Sequence, residues 1–133
     1  MIIRGTTPYH NFILPILVEN IDAVYVTYLQ NNEVILDKSN LKDEFEINNL
    51  IDLENANVEI LTPEEQESSQ LTLHLSQEDT LKFHFYPAAK KNIAVIQIRI
   101  LTTDGEAFAS MPINERIFGV LHDGIIPDEE EDE

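Results

Sequence analysis

The sequence predicts an all-β fold, a single antiparallel β-sandwich of about seven to eight strands, on three observations. Ile93 to Ser110 places two β-rich arms around Asp104-Gly105. An Asp-Gly pair is the strongest short-range hairpin signal, because a type I′ turn needs φ > 0 at both central residues. With that pair as the loop, Ile100 falls opposite Ala109 and Ile98 opposite Met111, while Arg99 meets Ser110 on the other face. Next, Leu71, Leu73 and Leu75 alternate with Thr72 and His74, the pattern of a strand with one buried and one wet face. Finally, no window sustains a helical period.

In chain order, His10–Leu14 lies between Pro8 and Pro15 and reads as a short edge strand. Ala23–Leu29 and Val34–Lys38 flank Gln30-Asn31-Asn32-Glu33, and asparagine tolerates left-handed geometry, so a second hairpin is expected there. Glu44–Ile47 and Asn57–Leu61 are weaker strands around an acidic stretch, and residues 62–69 form a polar loop or a single helical turn. Gln70–Leu75 and Lys82–Tyr86 both alternate, the second setting Phe83 and Phe85 against Lys82, His84 and Tyr86. Between them Ser76 and Asp79 have capping-box spacing, which predicts one helical turn. Ile113–Leu121 supplies a last strand before Asp123-Gly124. Short strands with regular turn signals point to a sandwich or a small barrel, and a sandwich of immunoglobulin-like or jelly-roll-like type is the expected form. Residues 1–8 read as an N-terminal arm, 9–126 as the sandwich domain and 127–133 as an acidic tail.

A chain of 133 residues supports one domain with a real core. The net charge of −17, from 25 acidic and 8 basic residues, argues against a nucleic-acid backbone or an anionic membrane as partner. The run Asp128–Glu133 repels itself and reads as a solvated tail, with a basic partner as the alternative. The absence of cysteine excludes disulfides and thiolate metal sites and leaves the redox compartment open. The start of the sequence lacks the pattern of a Sec signal, and the apolar windows Phe12–Val18 and Ile93–Leu101 are far shorter than the ~20 residues of a membrane span. A soluble protein made in the cytoplasm is expected.

No reactive constellation assembles from the residue spacing. His10, His74, His84 and His122 are scattered. His74 and His84 lie on the polar faces of two expected strands, but a site there lacks a third ligand, and surface or hydrogen-bonded histidines are the plainer reading. Glu78-Asp79 lacks the spacing of a calcium loop, and capping a turn explains the pair more simply. Nothing matches a phosphate-binding loop or a nucleophile elbow, and no tryptophan offers a sugar platform. Arg99, mid-strand and facing away from the aliphatic side, reads as exposed, with a charge pair across to a neighbouring strand as the alternative. An enzyme is not expected, nor a cofactor or metal.

Four blocks bring a resemblance. Arg4-Gly-Thr-Thr-Pro8-Tyr-His10-Asn-Phe12, then Val26 to Asn31 with Val34 to Lys38, then Leu75-Ser-Gln-Glu-Asp-Thr-Leu-Lys-Phe83, then Ile96 to Ser110 follow one another over most of the chain. In that order they resemble a small protein family encoded by phages and prophages of gut bacteria. The resemblance implies a structural or virion-associated protein with no catalytic residues to carry over. It departs from the family pattern at residues 48–69, which look longer and more acidic, and at the tail after Pro127. Leu75 to Thr80 also resembles the corner before the sixth strand of immunoglobulin domains, without their Cys and Trp.

A virion part implies self-association, with copies of the chain and other virion proteins as partners and the edge strand His10–Leu14 as a pairing point. Arg4, Thr6, Thr7, Pro8, His10 and Phe12 are the residues expected to dock on a neighbour, as an added strand or an arm. The expected function is therefore a non-enzymatic tail, baseplate or head accessory subunit, assembled in the host bacterial cytoplasm. The alternatives are an adhesion module binding a host-surface glycan and, with no supporting constellation, a small hydrolase.

Overall fold

The alternating leucines and isoleucines fold into two sheets that share one apolar layer. The computed structural model describes residues 1–53, 61–89, 91–119 and 126. Among them the order is β1 (Ile2–Ile3), β2 (Tyr9–Leu14), β3 (Ile21–Gln30), β4 (Glu33–Ser39), β5 (Glu46–Asn49), α1 (Pro63–Gln66), β6 (Ser69–His74), α2 (Gln77–Leu81), β7 (Ile93–Thr102), β8 (Ala107–Ala109) and β9 (Ile113–Phe118). The larger sheet runs β1-β9-β7-β3-β4, with β8 also on β7, and the smaller runs β2-β6-β5. The all-β sandwich is as expected, with nine strands among the described residues in place of seven to eight. It is not wholly antiparallel: β1 pairs in parallel with β9, Ile2 beside Ile117 and Ile3 beside Phe118.

Strand periodicity places the core. Val24, Val26 and Tyr28 on β3 lie beside Ile100, Ile98 and Ile96 on β7, all buried. Leu71 and Leu73 on β6, with Leu75 and Phe83 beyond it, come from the other layer and are fully buried. Each such side chain contributes ~1.5–3 kcal/mol by leaving water.

Local chemistry explains the turns. The expected second hairpin, β3–β4, is present, and Asn31 and Asn32, with φ of 53° and 66°, close it on a two-residue type I′ turn. Thr62 and Ser76 each begin a helical turn with a full capping box, Thr62 with Glu65 and Ser76 with Asp79.

Three larger expectations are corrected, besides the start of β5. In the β7–β8 hairpin, Ile100 pairs with Phe108 and Arg99 with Ala109, one residue away from the expected register. Gly105 has φ of 89°, but Asp104 is not in the left-handed region, so the turn is not type I′. The Thr102 hydroxyl donates to the Asp104 carboxylate and accepts the Glu106 N–H, which lengthens the loop by one residue. Lys82–Tyr86 is not a strand: α2 ends at Leu81 and the chain continues as a loop. The side-chain amide of Gln30 there donates to His84 O and accepts from His84 N, both at 2.7 Å, taking the place of a neighbouring strand. Asn92 does the same for Tyr86.

The third correction concerns residues 1–8, which are part of the domain and not an arm. Ile2 is fully buried. Arg4 donates from Nε to Phe83 O at 2.7 Å and from Nη2 to Leu81 O at 3.2 Å, closing the C-terminal end of α2. Gly5 N donates to Thr80 Oγ1, whose hydroxyl donates to Thr6 O. Strand β5 begins at Glu46, two residues later than the expected Glu44. The expected strand over 57–61 falls largely outside the described residues, as do His122, the turn at Asp123-Gly124, residues 120 and 121 of the last strand, and the tail.

Candidate functional site

Strand β2 lies at the border of the smaller sheet and pairs only with β6 among the described residues. Its inward side chains, His10, Phe12 and Leu14, face the core, while Tyr9 and Ile13 point outward and are 64% and 58% exposed. On the larger sheet β8 and β9 share one edge of β7, joined through Ser110 to Pro112. Ser110 replaces part of the ladder between them: its N–H donates to Ile98 O and its hydroxyl accepts from Ile98 N. The two layers diverge here and leave an open cleft of about 970 Å³.

The floor of the cleft is apolar. Phe12, Leu14 and Ile16 line one wall, Ile98, Ile100, Phe108 and Ile113 the other. Phe108 shares the face of Ile100 across the hairpin and is 54% exposed at the mouth of the cleft. The charged groups at the rim are Asp104, Glu106 and Glu115. The hydrogen bond from Thr102 holds the Asp104 carboxyl below the ordinary carboxylate range, and Glu115 pairs with the α-amino group of Met1.

Beside this cleft His10 meets Tyr28. Nδ1 lies 2.5 Å from the phenol oxygen and the rings stack at 5.7 Å. His10 Nε2 is buried and has no hydrogen-bond partner among the described residues. Burial pushes the imidazole below its ordinary value, against the pull of the Glu115 carboxylate. Burial likewise raises the Tyr28 phenol, so it stays protonated.

Of the six residues expected to dock, Phe12 lines the cleft and His10 is half-buried beside it on the same strand. Arg4 and Thr6 hold α2 and the N-terminal turn, Pro8 O accepts from Leu75 N, and Thr7 is exposed. Phe108, Glu106 and Glu115 were not expected. Phe108 is the single aromatic on the second hairpin arm, a signal hidden by the one-residue register error.

The remaining polar residues make pairwise contacts. His74 stacks on Tyr9 at 4.0 Å and His84 on Tyr86 at 6.0 Å. Arg99 sits over the ring of Tyr25, 5.3 Å from its centroid, a cation–π contact where a charge pair was the alternative. Lys38 reaches Asp79 at 3.2 Å and Glu44 at 3.5 Å. Burial pushes the Asp79 carboxyl up, but the Ser76 N–H and Lys38 outweigh it and leave it below its ordinary value. Among the described residues no group of three or more His, Asp or Glu side chains is placed to hold a metal ion, and no helix is long and apolar enough to cross a membrane.

No family model, no curated protein and no solved structure matches this chain.

Proposed function

We propose that the chain is a non-enzymatic structural subunit of a phage particle, a tail, baseplate or head accessory component. It acts by self-association and by docking on a larger assembly. The observation that carries this reading is the cleft between two strand edges, with Ile13 and Phe108 exposed at its borders. Unpaired edges beside exposed apolar side chains are surfaces that natural β-proteins ordinarily cover or charge. The resemblance of the four sequence blocks supports the phage assignment. Copies of itself and other virion proteins are its partners, and the virion is its final location.

The test is purification of particles from a host carrying the gene, followed by mass spectrometry and native mass measurement of the isolated chain. A fixed stoichiometry in particles supports the proposal. A chain absent from particles and monomeric at all concentrations overturns it.

One observation favours a second reading, a glycan-binding module. The outer face of the smaller sheet carries the stacked pair Tyr9 and His74 beside Asn11, Gln70 and Thr72, whose side chains hydrogen-bond one another. An aromatic ring beside amides and hydroxyls suits a sugar. Binding of the purified chain to a glycan array, lost on Tyr9→Ala, would establish that reading instead.

A further inference from the structure

We infer that the cleft takes an extended, alternately apolar segment of a partner protein that carries lysine or arginine, and that this segment adds to the outer edge of β2 as an extra strand. The inference deepens the assembly reading by naming its contact.

Main-chain direction gives the first argument. Leu75 N donates to Pro8 O, and the antiparallel register continues with His10 beside Leu73 and Phe12 beside Leu71. Hydrogen-bonded and non-bonded pairs alternate along such a ladder. The main-chain groups of His10, Phe12 and Leu14 therefore face β6, and those of Tyr9, Asn11 and Ile13 face away from it. On β8 the bonds Thr102 N to Glu106 O and Ser110 N to Ile98 O fix the same alternation. Ala107 and Ala109 thus turn their main-chain groups away from β7. Both edges, unpaired among the described residues, border the cleft. The six residues of β2 present an edge ~20 Å long, the length of an ordinary strand and not of a compact ligand.

Charge gives the second argument. The charged side chains lining the cleft, Asp104, Glu106 and Glu115, are all acidic; Glu115 is already paired with the α-amino group of Met1, which leaves Asp104 and Glu106 to a partner, and the chain as a whole carries −17. Its own acidic run at 128–133 has the wrong sign to fill this cleft, and a second copy brings the same net charge against it, which leaves self-association to other surfaces of the chain and this cleft to the larger assembly. A cationic segment is attracted at long range and meets carboxylates at the rim, while its alternate apolar side chains cover Phe12, Ile100 and Phe108.

The experiment titrates the full chain with three capped seven-residue peptides that alternate valine and threonine. The first carries two lysines, the second two glutamates in their place, and the third a central proline in the lysine background. The lysine peptide should bind at least ~10-fold more tightly than either of the others, and more weakly at ~0.3 M than at ~0.05 M salt. Its binding should protect the amide protons of Asn11 and Ile13 from exchange. Ile13→Pro removes an edge N–H without touching a bond to β6, and Phe108→Ser removes an exposed apolar ring without adding charge. Each should lower the affinity ~10-fold or more while circular dichroism stays that of the folded chain. Equal binding of the three peptides, or unchanged binding by both variants, overturns the inference. Concentration-dependent dimerisation abolished by Ile13→Pro also overturns it, because a second copy then occupies the cleft. Peptide failure with the chain still present in particles sinks this contact alone. Tight peptide binding by a chain absent from particles sinks the assembly reading and leaves the contact standing.

Discussion

At the scale of single residues, His10 and Tyr28 form a hydrogen-bonded and stacked contact between the layers. Neutral imidazole has one donor and one acceptor nitrogen, so pairing Nδ1 with the phenol leaves Nε2 unmatched in either tautomer. Removing one partner strands the other. His10→Leu should therefore cost ~1–3 kcal/mol by leaving the Tyr28 hydroxyl buried and unpaired, with a comparable loss for Tyr28→Phe. The double variant should cost at least ~1 kcal/mol less than the sum of the two, measured by urea unfolding. Additive losses would mean that the hydrogen bond contributes nothing. The pH dependence has a definite sign. The folded imidazole titrates below its unfolded value of 6.5, so the unfolded chain takes up its proton first. Stability from this residue is complete above pH 6.5 and falls as the pH drops through that value toward the folded one. His10→Leu should flatten the stability curve between pH 7.5 and ~5 relative to the parent chain.

At the scale of elements, the two hairpins explain what the sequence makes legible. Asn31-Asn32 announces a two-residue turn, and both residues take the left-handed geometry that turn demands. Asp104-Gly105 announces the same turn, yet the Thr102 side chain bonds both Asp104 and Glu106 and draws one more residue into the loop. The strand survives that shift, but the facing pairs do not, and Phe108 at the cleft was missed for this reason. Gly105 holds φ of 89°, and an added Cβ would meet nothing within 4 Å. Gly105→Ala should thus lower stability by ~1–2 kcal/mol through backbone strain alone, seen as a lower urea midpoint with an unchanged slope. A loss below ~0.3 kcal/mol would contradict the left-handed assignment. The loop after α2 shows a different failure. Phe83 and Phe85 alternate like strand residues, but Gln30 and Asn92 satisfy the neighbouring main chain with side-chain amides, a substitution that periodicity does not register. Strand β1 was illegible because two residues carry no period and their partner lies at the far end of the chain. Ile2→Ala should cost ~2–5 kcal/mol, the loss of a buried side chain, where an arm would show almost none. Equilibrium unfolding of that one variant separates the two.

At the scale of the whole molecule, charge is the dominant long-range property. The chain carries 25 acidic against 8 basic residues, and the same excess that supplies the rim of the cleft opposes folding. Compaction brings like charges closer than the unfolded chain holds them. Added salt acts on this in two directions. It screens the general repulsion, and it weakens the few attractive pairs, such as those of Lys38 with Asp79 and Glu44. Repulsion wins on number and range: the Debye length falls from ~30 Å at 0.01 M to ~10 Å at 0.1 M, from the span of the molecule to that of neighbouring side chains. Lys38 is mostly shielded from solvent, so its pairs are screened less than exposed charges are. The melting temperature should therefore rise by several degrees between ~0.01 and ~0.3 M sodium chloride and then level off as screening saturates. Potassium chloride at the same ionic strength should give the same rise, since screening depends on ionic strength and not on the identity of the ion. A melting temperature that falls with salt would show that specific ion pairs, not net repulsion, govern the electrostatics of the fold. The attraction of a cationic strand to the cleft would then need a local cause at Asp104 and Glu106, not the field of the entire chain.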